Sequence, residues 1–254
     1  FAAALEKAKK AGETPIILGN SDKWPATHVF GLIQGAFTPA SETKDLITGK
    51  AGSSFISSTN ETALNTMRDW ITKGYFTKGF DGVSADDATA KFAAGNGLFY
   101  MGGTWFGGTI GEGLGEDAGF IANPPGASGK HAGTGSYGLG WHISSKTDAL
   151  AASVAFVAMI MDPAFAPSLA SLDRIPSANA TLEASSALLK DMQDAGKKMF
   201  QDAGLTFYLD WSTDTMYDVY TAKLQEFMAG KIKAAEIMQA IQDNWDTFQK
   251  SRNG

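Results

Sequence analysis

Phe92-Ala-Ala-Gly95, followed by Tyr100-Met-Gly-Gly-Thr-Trp105, is the stretch on which the fold turns. Just upstream, Ser84-Ala-Asp-Asp87 opens a helix, since a serine hydroxyl accepts from the orphan N–H groups of a first turn and acidic residues oppose the helix dipole. Gly95 closes that helix by supplying the left-handed conformation a helix end favours. Gly97-Leu-Phe-Tyr-Met101 is then a short apolar run suited to a buried strand. Gly102 and Gly103 release the chain into a loop that carries Trp105. Helix, stop, strand and aromatic loop in that order make one unit of an α/β architecture.

The same grammar extends outward. Phe1 to Ala11 reads as a helix ended by Gly12, and Thr14-Pro-Ile-Ile-Leu18 as a buried strand. A polar loop, Gly19-Asn-Ser-Asp-Lys-Trp-Pro25, follows that strand directly and carries Trp24. Ser58-Thr-Asn-Glu61 has capping-box spacing, and Leu64, Met67 and Ile71 repeat at helical intervals until Gly74. Of the 29 glycines, 16 lie between Gly95 and Gly140 and four follow Trp141, so a loop-rich middle separates the mixed first part from a helical last part. Further short strands are expected at Gly119 to Ala122 and Leu139 to Ile143. A buried helix is expected from about Thr147 to Met161, stopped by Asp162-Pro163, and another from about Ala180 to Phe200. Met216, Tyr220, Leu224 and Phe227 mark an amphipathic helix ending at Gly230, and Met238, Ile241, Trp245 and Phe248 the last one.

Composition excludes several classes. The 254 residues include 27 acidic and 21 basic side chains for a net charge of -6, which disfavours nucleic acid or an anionic membrane as partner. The absence of cysteine removes thiol nucleophiles and thiolate-bound metals. Hydrophobic residues at 44% describe a folded chain. The most apolar run, Ala149 to Met161, is shorter than the ~20 residues a bilayer span needs. His28, His131 and His142 have no metal-ligand spacing and each reads as a surface or hydrogen-bonding residue. No nucleophile elbow, phosphate-binding loop or dinucleotide fingerprint is present.

The aromatic residues carry more. Trp24 and Trp105 both follow strand ends in loops, and Trp211 follows Tyr208-Leu-Asp210 in the loop before a helix, whereas Trp70 and Trp245 fall in periodic helices and read as core. A flat ring in such a loop covers the C–H face of a pyranose while nearby polar side chains bind its hydroxyls. Asp210, Asp214 and Asp218 recur every four residues; Asp214 reads as helix-start chemistry, while Asp210 precedes the helix beside two aromatic rings.

In order along the chain, Gly12-Glu-Thr-Pro-Ile16, Trp24-Pro25, Trp70-Ile-Thr-Lys-Gly-Tyr-Phe76, Asp86-Asp-Ala-Thr-Ala-Lys-Phe-Ala-Ala-Gly95, Met101-Gly-Gly-Thr-Trp105 and Gly140-Trp-His-Ile-Ser-Ser-Lys146 resemble the extracellular solute-binding proteins of ABC importers, the sugar-binding family 1 that includes maltose-binding protein. The segment from Phe92 to Trp105 resembles the family's F-x-x-G-x-x-A-M-x-x-x-G-x-W, with Tyr100 in place of the small residue before Met and Thr104 in place of the last glycine. The resemblance implies a periplasmic-binding-protein-like (type II) α/β fold of two lobes that close over a sugar. It implies that residues 1–137 belong to the second lobe, that 138–204 cross a hinge and add helices to the first lobe, and that 205–254 return to the second. The family's opening strands and helices have no counterpart here, so the resemblance also implies that most of the N-terminal lobe is missing from this chain.

By the same resemblance Trp105 stacks on sugar with Thr104 beside it, the Trp24 loop with Asp22 and Lys23 provides another wall, and Tyr137, Tyr208, Asp210 and Trp211 line the same cleft. No catalytic residue, metal or cofactor is implied. The implied function is that of the substrate-binding component of an ABC importer, a monomer that binds a mono- or oligosaccharide and meets a membrane permease. It would act outside the cytoplasm, in the periplasm or as a lipoprotein. The alternatives are a polyamine or other cationic solute drawn to Asp210 and Asp214 on the same scaffold, and a glycoside hydrolase pairing Asp210 with Asp86 or Asp87.

Overall fold

The computed structural model describes residues 1–135, 140–165, 167–168 and 183–253. Helix α1 (Ala2–Lys10) leads to strand β1 (Ile16–Ile17), which pairs in parallel with β2 (Phe99–Tyr100), Ile16 opposite Phe99 and Ile17 opposite Tyr100. On its other edge Ile16 bridges Phe76, also in parallel. The sheet expected from the sequence is therefore present, with both strands in the predicted places but only two residues long. Gly119 to Ala122 and the described residues 140–143 are not strands. Among the described residues no strand pairs with these apolar runs, and a strand cannot satisfy its backbone alone.

The elements between β1 and β2 are helical: α2 (Pro25–Gly35), α3 (Ala40–Ile47), α4 (Ser58–Thr72) and α5 (Ala85–Ala93). Ser84 caps α5 as expected, its hydroxyl accepting from Asp87 N at 3.0 Å. The α4 cap sits one residue earlier than the capping-box spacing predicts, on Ser57, which accepts from Asn60 N at 3.2 Å. Helix α6 (Gly107–Leu114) follows the Trp105 turn, and α7 (Leu150–Ile160), α8 (Ala187–Gln201), α9 (Met216–Met228) and α10 (Ala234–Asn253) complete the described elements.

One core joins the beginning and the end of the chain. Ile16, Val29, Phe30, Leu64 and Met67 pack in it with Met216, Tyr220, Leu224, Ile237 and Ile241. Trp70 and Trp245 are buried here, as their helical periodicity predicts, and the Trp245 indole N–H donates to Leu46 O at 2.8 Å to fasten α10 to α3. Between α2 and α4, Asn60 accepts from Gln34 Nε2 at 2.8 Å and Thr38 Oγ1 at 2.9 Å and donates to Phe55 O at 2.8 Å, so these buried polar groups satisfy one another. A small second cluster sets Leu188 and Met192 of α8 against Ala118, with Ile110, Leu114 and Phe120 around it.

Helix α7 departs from expectation. Its sequence, Leu-Ala-Ala-Ser-Val-Ala-Phe-Val-Ala-Met-Ile, reads as a buried helix, yet none of its residues is buried, and Phe156 is 52% exposed. A helix apolar on every side satisfies its own backbone but leaves its side chains in water unless another element covers them. Among the described residues no helix is long and apolar enough to cross a membrane.

Arg68 of α4 closes the end of α9. Its guanidinium donates to the carbonyl oxygens of Phe227, Met228 and Ile232 and lies 4.2 Å from the centre of the Phe227 ring. Phe227 and Met228 are the last residues of α9 and Ile232 lies in the connection that follows, so the cation sits at a helix C-terminus, where it is favoured. Arg68→Ala is expected to cost about 2 kcal/mol, the range for charged hydrogen bonds. The check is a lower urea midpoint at unchanged slope.

Candidate functional site

The site is built at the carboxyl ends of β1 and β2. After β1 the chain turns through Asn20, which is fully buried and accepts from Ala26 N at 3.0 Å through Oδ1 while its own N–H donates to Phe80 O at 2.8 Å. That turn places Trp24 at the N-cap of α2 and Pro25 at the first helical position, where a missing N–H costs nothing. The sequence reading leaves Trp24 in a loop; in the structure it begins a helical stripe. Trp24, His28, Leu32 and Ala36 follow at four-residue spacing, and all four line an open cleft of about 2240 Å³.

After β2, Gly102 and Gly103 precede a short 3₁₀ turn over Thr104–Phe106. Glycine permits close approach of backbone to other groups, and what occupies the space here is aromatic: a Cβ on Gly103 would strike the Trp105 ring, and one on Gly102 the Tyr100 ring. The glycines let the rings fold back onto their own backbone. Trp105 remains 42% exposed at the cleft.

A third segment, Leu209–Trp211, forms another 3₁₀ turn ahead of α9. The three segments meet ring to ring. Trp24 lies 5.9 Å from Trp105 and 6.3 Å from Phe106, the latter pair nearly parallel at 14°. Tyr208 lies 4.9 Å from Trp211. His28 joins the groups: its imidazole centre is 5.2 Å from Trp24, 5.5 Å from Trp105 and 5.3 Å from Tyr208, edge to face in each case. Tyr100 and Phe92 extend the array behind Phe106.

Of the candidate residues, Trp24, Thr104, Trp105, Tyr208, Asp210 and Trp211 all line the cleft. Asp22 and Lys23 do not. The Asp22 carboxylate accepts from Ala85 N at 2.7 Å and so holds the start of α5, and Lys23 is exposed at a left-handed φ of 69°. Tyr137 lies outside the described residues. His28, read from the sequence as a surface or hydrogen-bonding residue, instead lines the cleft among aromatic rings, with Phe106 behind the array and Tyr217 also on the cleft wall. The signal for His28 was available: Pro25 at a helix start puts positions 24 and 28 on one face.

Burial shifts the titratable groups of the site. Burial alone pushes the His28 imidazole down to about 4, so it is neutral at physiological pH. Burial also raises the Asp210 carboxyl, and burial followed by the Asp210 charge raises the Tyr208 hydroxyl. Among the described residues Asp210 is the one carboxylate lining the cleft. Asp87 instead belongs to the α5 cap, accepting from Ser84 Oγ at 2.8 Å. No group of three or more His, Asp or Glu among the described residues could hold a metal ion.

No protein-family model matches the sequence, and no curated protein matches it. Solved structures do match in shape. A chitin oligosaccharide binding protein superposes with a TM-score of 0.84 at 20% identity, over 98% of this chain and 64% of its own. RafE in complex with raffinose gives 0.74 at 18% identity, covering 96% and 64%. AcbH, a bacterial solute receptor whose substrate preference is described as exclusive for β-D-galactopyranose, gives 0.77 at 15% identity, covering 96% and 63%. The chain therefore has the fold of these binding proteins and spans about 64% of their length.

His28 has a folded value of about 4 against an ordinary 6.5, so the unfolded chain takes up the proton first. Stability is untouched above that ordinary value, falls between the two, and levels off below the lower one. His28→Phe removes this slope. The unfolding free energy of the variant relative to wild type is expected to improve by roughly 2–3 kcal/mol between pH 7 and pH 4.5. Urea unfolding at the two pH values measures it, and a constant difference refutes it.

Proposed function

We propose that the chain is the sugar-binding part of a solute receptor for an ABC importer, a member of extracellular solute-binding family 1, and that it holds a mono- or oligosaccharide against the Trp24, Trp105, Tyr208 and Trp211 rings. The observation that carries this is the convergence of rings from three separate chain segments on one cleft. A core needs no such exposure: Trp105 is 42% and Trp211 43% exposed, an expensive use of tryptophan unless something apolar and flat covers it. A pyranose offers that face, and its hydroxyls need a few polar partners, here Asp210, Thr104 and the backbone.

Residues 1–137 and 205–254 form one lobe in this reading, supported by the shared core. The segment 138–204 contains the crossing, and α7 faces a second lobe, which would account for its apolar and uncovered surface. Lobe closure over the ligand would favour the closed state by the ligand's differential affinity for it. The receptor would be monomeric, act outside the cytoplasm and deliver sugar to a membrane permease without chemistry of its own. The glycosidase reading is weakened because Asp86 and Asp87 do not line the cleft that Asp210 lines.

The test is titration of the 254-residue chain with chitotriose, a xylo-oligosaccharide, raffinose and galactose, with spermidine as the cationic comparison, following tryptophan fluorescence. At least one sugar is expected to change the emission saturably. Trp105→Ala is expected to weaken that binding about tenfold or more, the cost of ~1–3 kcal/mol for a lost apolar stacking face. Silence to every sugar would overturn the reading, and tight spermidine binding would put the cationic alternative in its place.

A further inference from the structure

His28 is the one polar side chain at the centre of the aromatic array. The three rings around it meet it edge to face, at interplanar angles of 84°, 71° and 74°. Trp24 and Thr27 fix the start of its helix, the Thr27 hydroxyl donating to Trp24 O at 2.6 Å. No protein group among the described residues hydrogen-bonds to either imidazole nitrogen, although the ring lines the cleft. A neutral imidazole carries one donor and one acceptor. Setting both against aromatic walls costs free energy unless a partner arrives. A residue chosen only to fill this space would be Phe or Leu, which fill it without that cost.

We propose that His28 is a ligand-reading residue, one imidazole nitrogen hydrogen-bonding a sugar hydroxyl held between the Trp105 and Tyr208 rings. The inference rests on the sugar reading above and adds to it the group that selects among sugars. A hydroxyl both donates and accepts, so it satisfies whichever nitrogen faces the cleft. A sugar that lacks a hydroxyl at that place, or directs it elsewhere, leaves the nitrogen desolvated and unpaired. Discrimination of this kind exceeds what stacking supplies, because every pyranose has an apolar face whereas only some place an oxygen there. Neutrality at physiological pH suits the role, since an imidazolium would have no acceptor and a heavy desolvation cost.

The experiment compares wild type, His28→Phe and His28→Gln, with chitotriose, raffinose and galactose as separate probes. Affinity is read by calorimetry and folding by thermal midpoint. Phe keeps the packing and removes the hydrogen bond; Gln keeps a donor and an acceptor. The expected result is a wild type that binds one probe, a Phe variant at least as heat-stable that binds it about tenfold or more weakly, and a Gln variant that recovers part of the loss. The imidazole nitrogen resonances of His28 are expected to shift on saturation of the wild type with that probe. If the Phe variant binds the probe as well as wild type does, or the nitrogen resonances stay in place, His28 only packs, and the inference falls while the sugar reading stands. If wild type binds none of these probes and no xylo-oligosaccharide either, the sugar reading fails and takes the inference with it.

Discussion

The arrangement depends on one short connection, the turn from β1 into α2 pinned by Asn20. Its side-chain oxygen holds Ala26 N at 3.0 Å, its backbone N–H reaches Phe80 O, and its carbonyl accepts from Gln225 Nε2 of α9 at 3.3 Å. A fully buried amide tied to the helix start, a loop and a late helix leaves little freedom in how α2 leaves the strand. Because α2 is fixed in direction, its face at positions 24, 28, 32 and 36 is fixed too. The placement of Trp24 and His28 is thus a consequence of backbone satisfaction in the core. The Trp105 turn and the Tyr208 segment then close against rings whose positions are already set.

That dependence explains why strands of two residues suffice. Ile16 is hydrogen-bonded into a register with Phe99 and bridged to Phe76, and Ile16, Leu18 and Phe76 are buried. Side-chain burial from helices on both sides compensates for the short ladder. The ends of β1 and β2 lie side by side, so loops leaving them start a strand spacing apart. Two tryptophans in those loops can meet without either loop being long. Parallel pairing thereby converts a sequence separation of 81 residues into a ring distance of 5.9 Å.

The sequence made the Ser84 cap, the positions of β1 and β2 and the core tryptophans legible because each rests on local rules: a serine before a carboxylate-rich first turn, a glycine after the last turn, apolar residues at helical spacing. Helix α2 was not legible by periodicity. Nine of its eleven residues are buried, so it has no polar face to contrast with an apolar one. The clue was Pro25, which favours the first helical position, and without it His28 reads as an ordinary polar residue. Asp22 illustrates the opposite error. Its proximity to Trp24 suggests a sugar contact, but its carboxylate is engaged at the start of α5, sixty-three residues away in the chain. Side chains committed to long-range backbone groups are invisible to local reading.

Helix α7 follows from the same physics applied where packing is absent. Its residues satisfy every expectation for a buried helix, and the apolar surface of Val154, Phe156 and Met159 is about half exposed. By contrast α8, with a more mixed sequence, buries Leu188, Leu189, Met192 and Ala195 and anchors Phe120 N through Asp191 at 3.2 Å. Apolar sequence therefore predicts that a surface will be covered, while the neighbours present decide whether it is. The rings of the cleft obey the same rule with a different outcome. Trp105 and Trp211 are exposed at the cleft that His28, Thr104 and Asp210 also line, so polar groups interrupt the apolar surface there. Val157 and Ile160 of α7, and Met161 just after it, line the same cleft as the Trp24–Trp105–Tyr208 array, so the uncovered apolar residues and the rings border one opening.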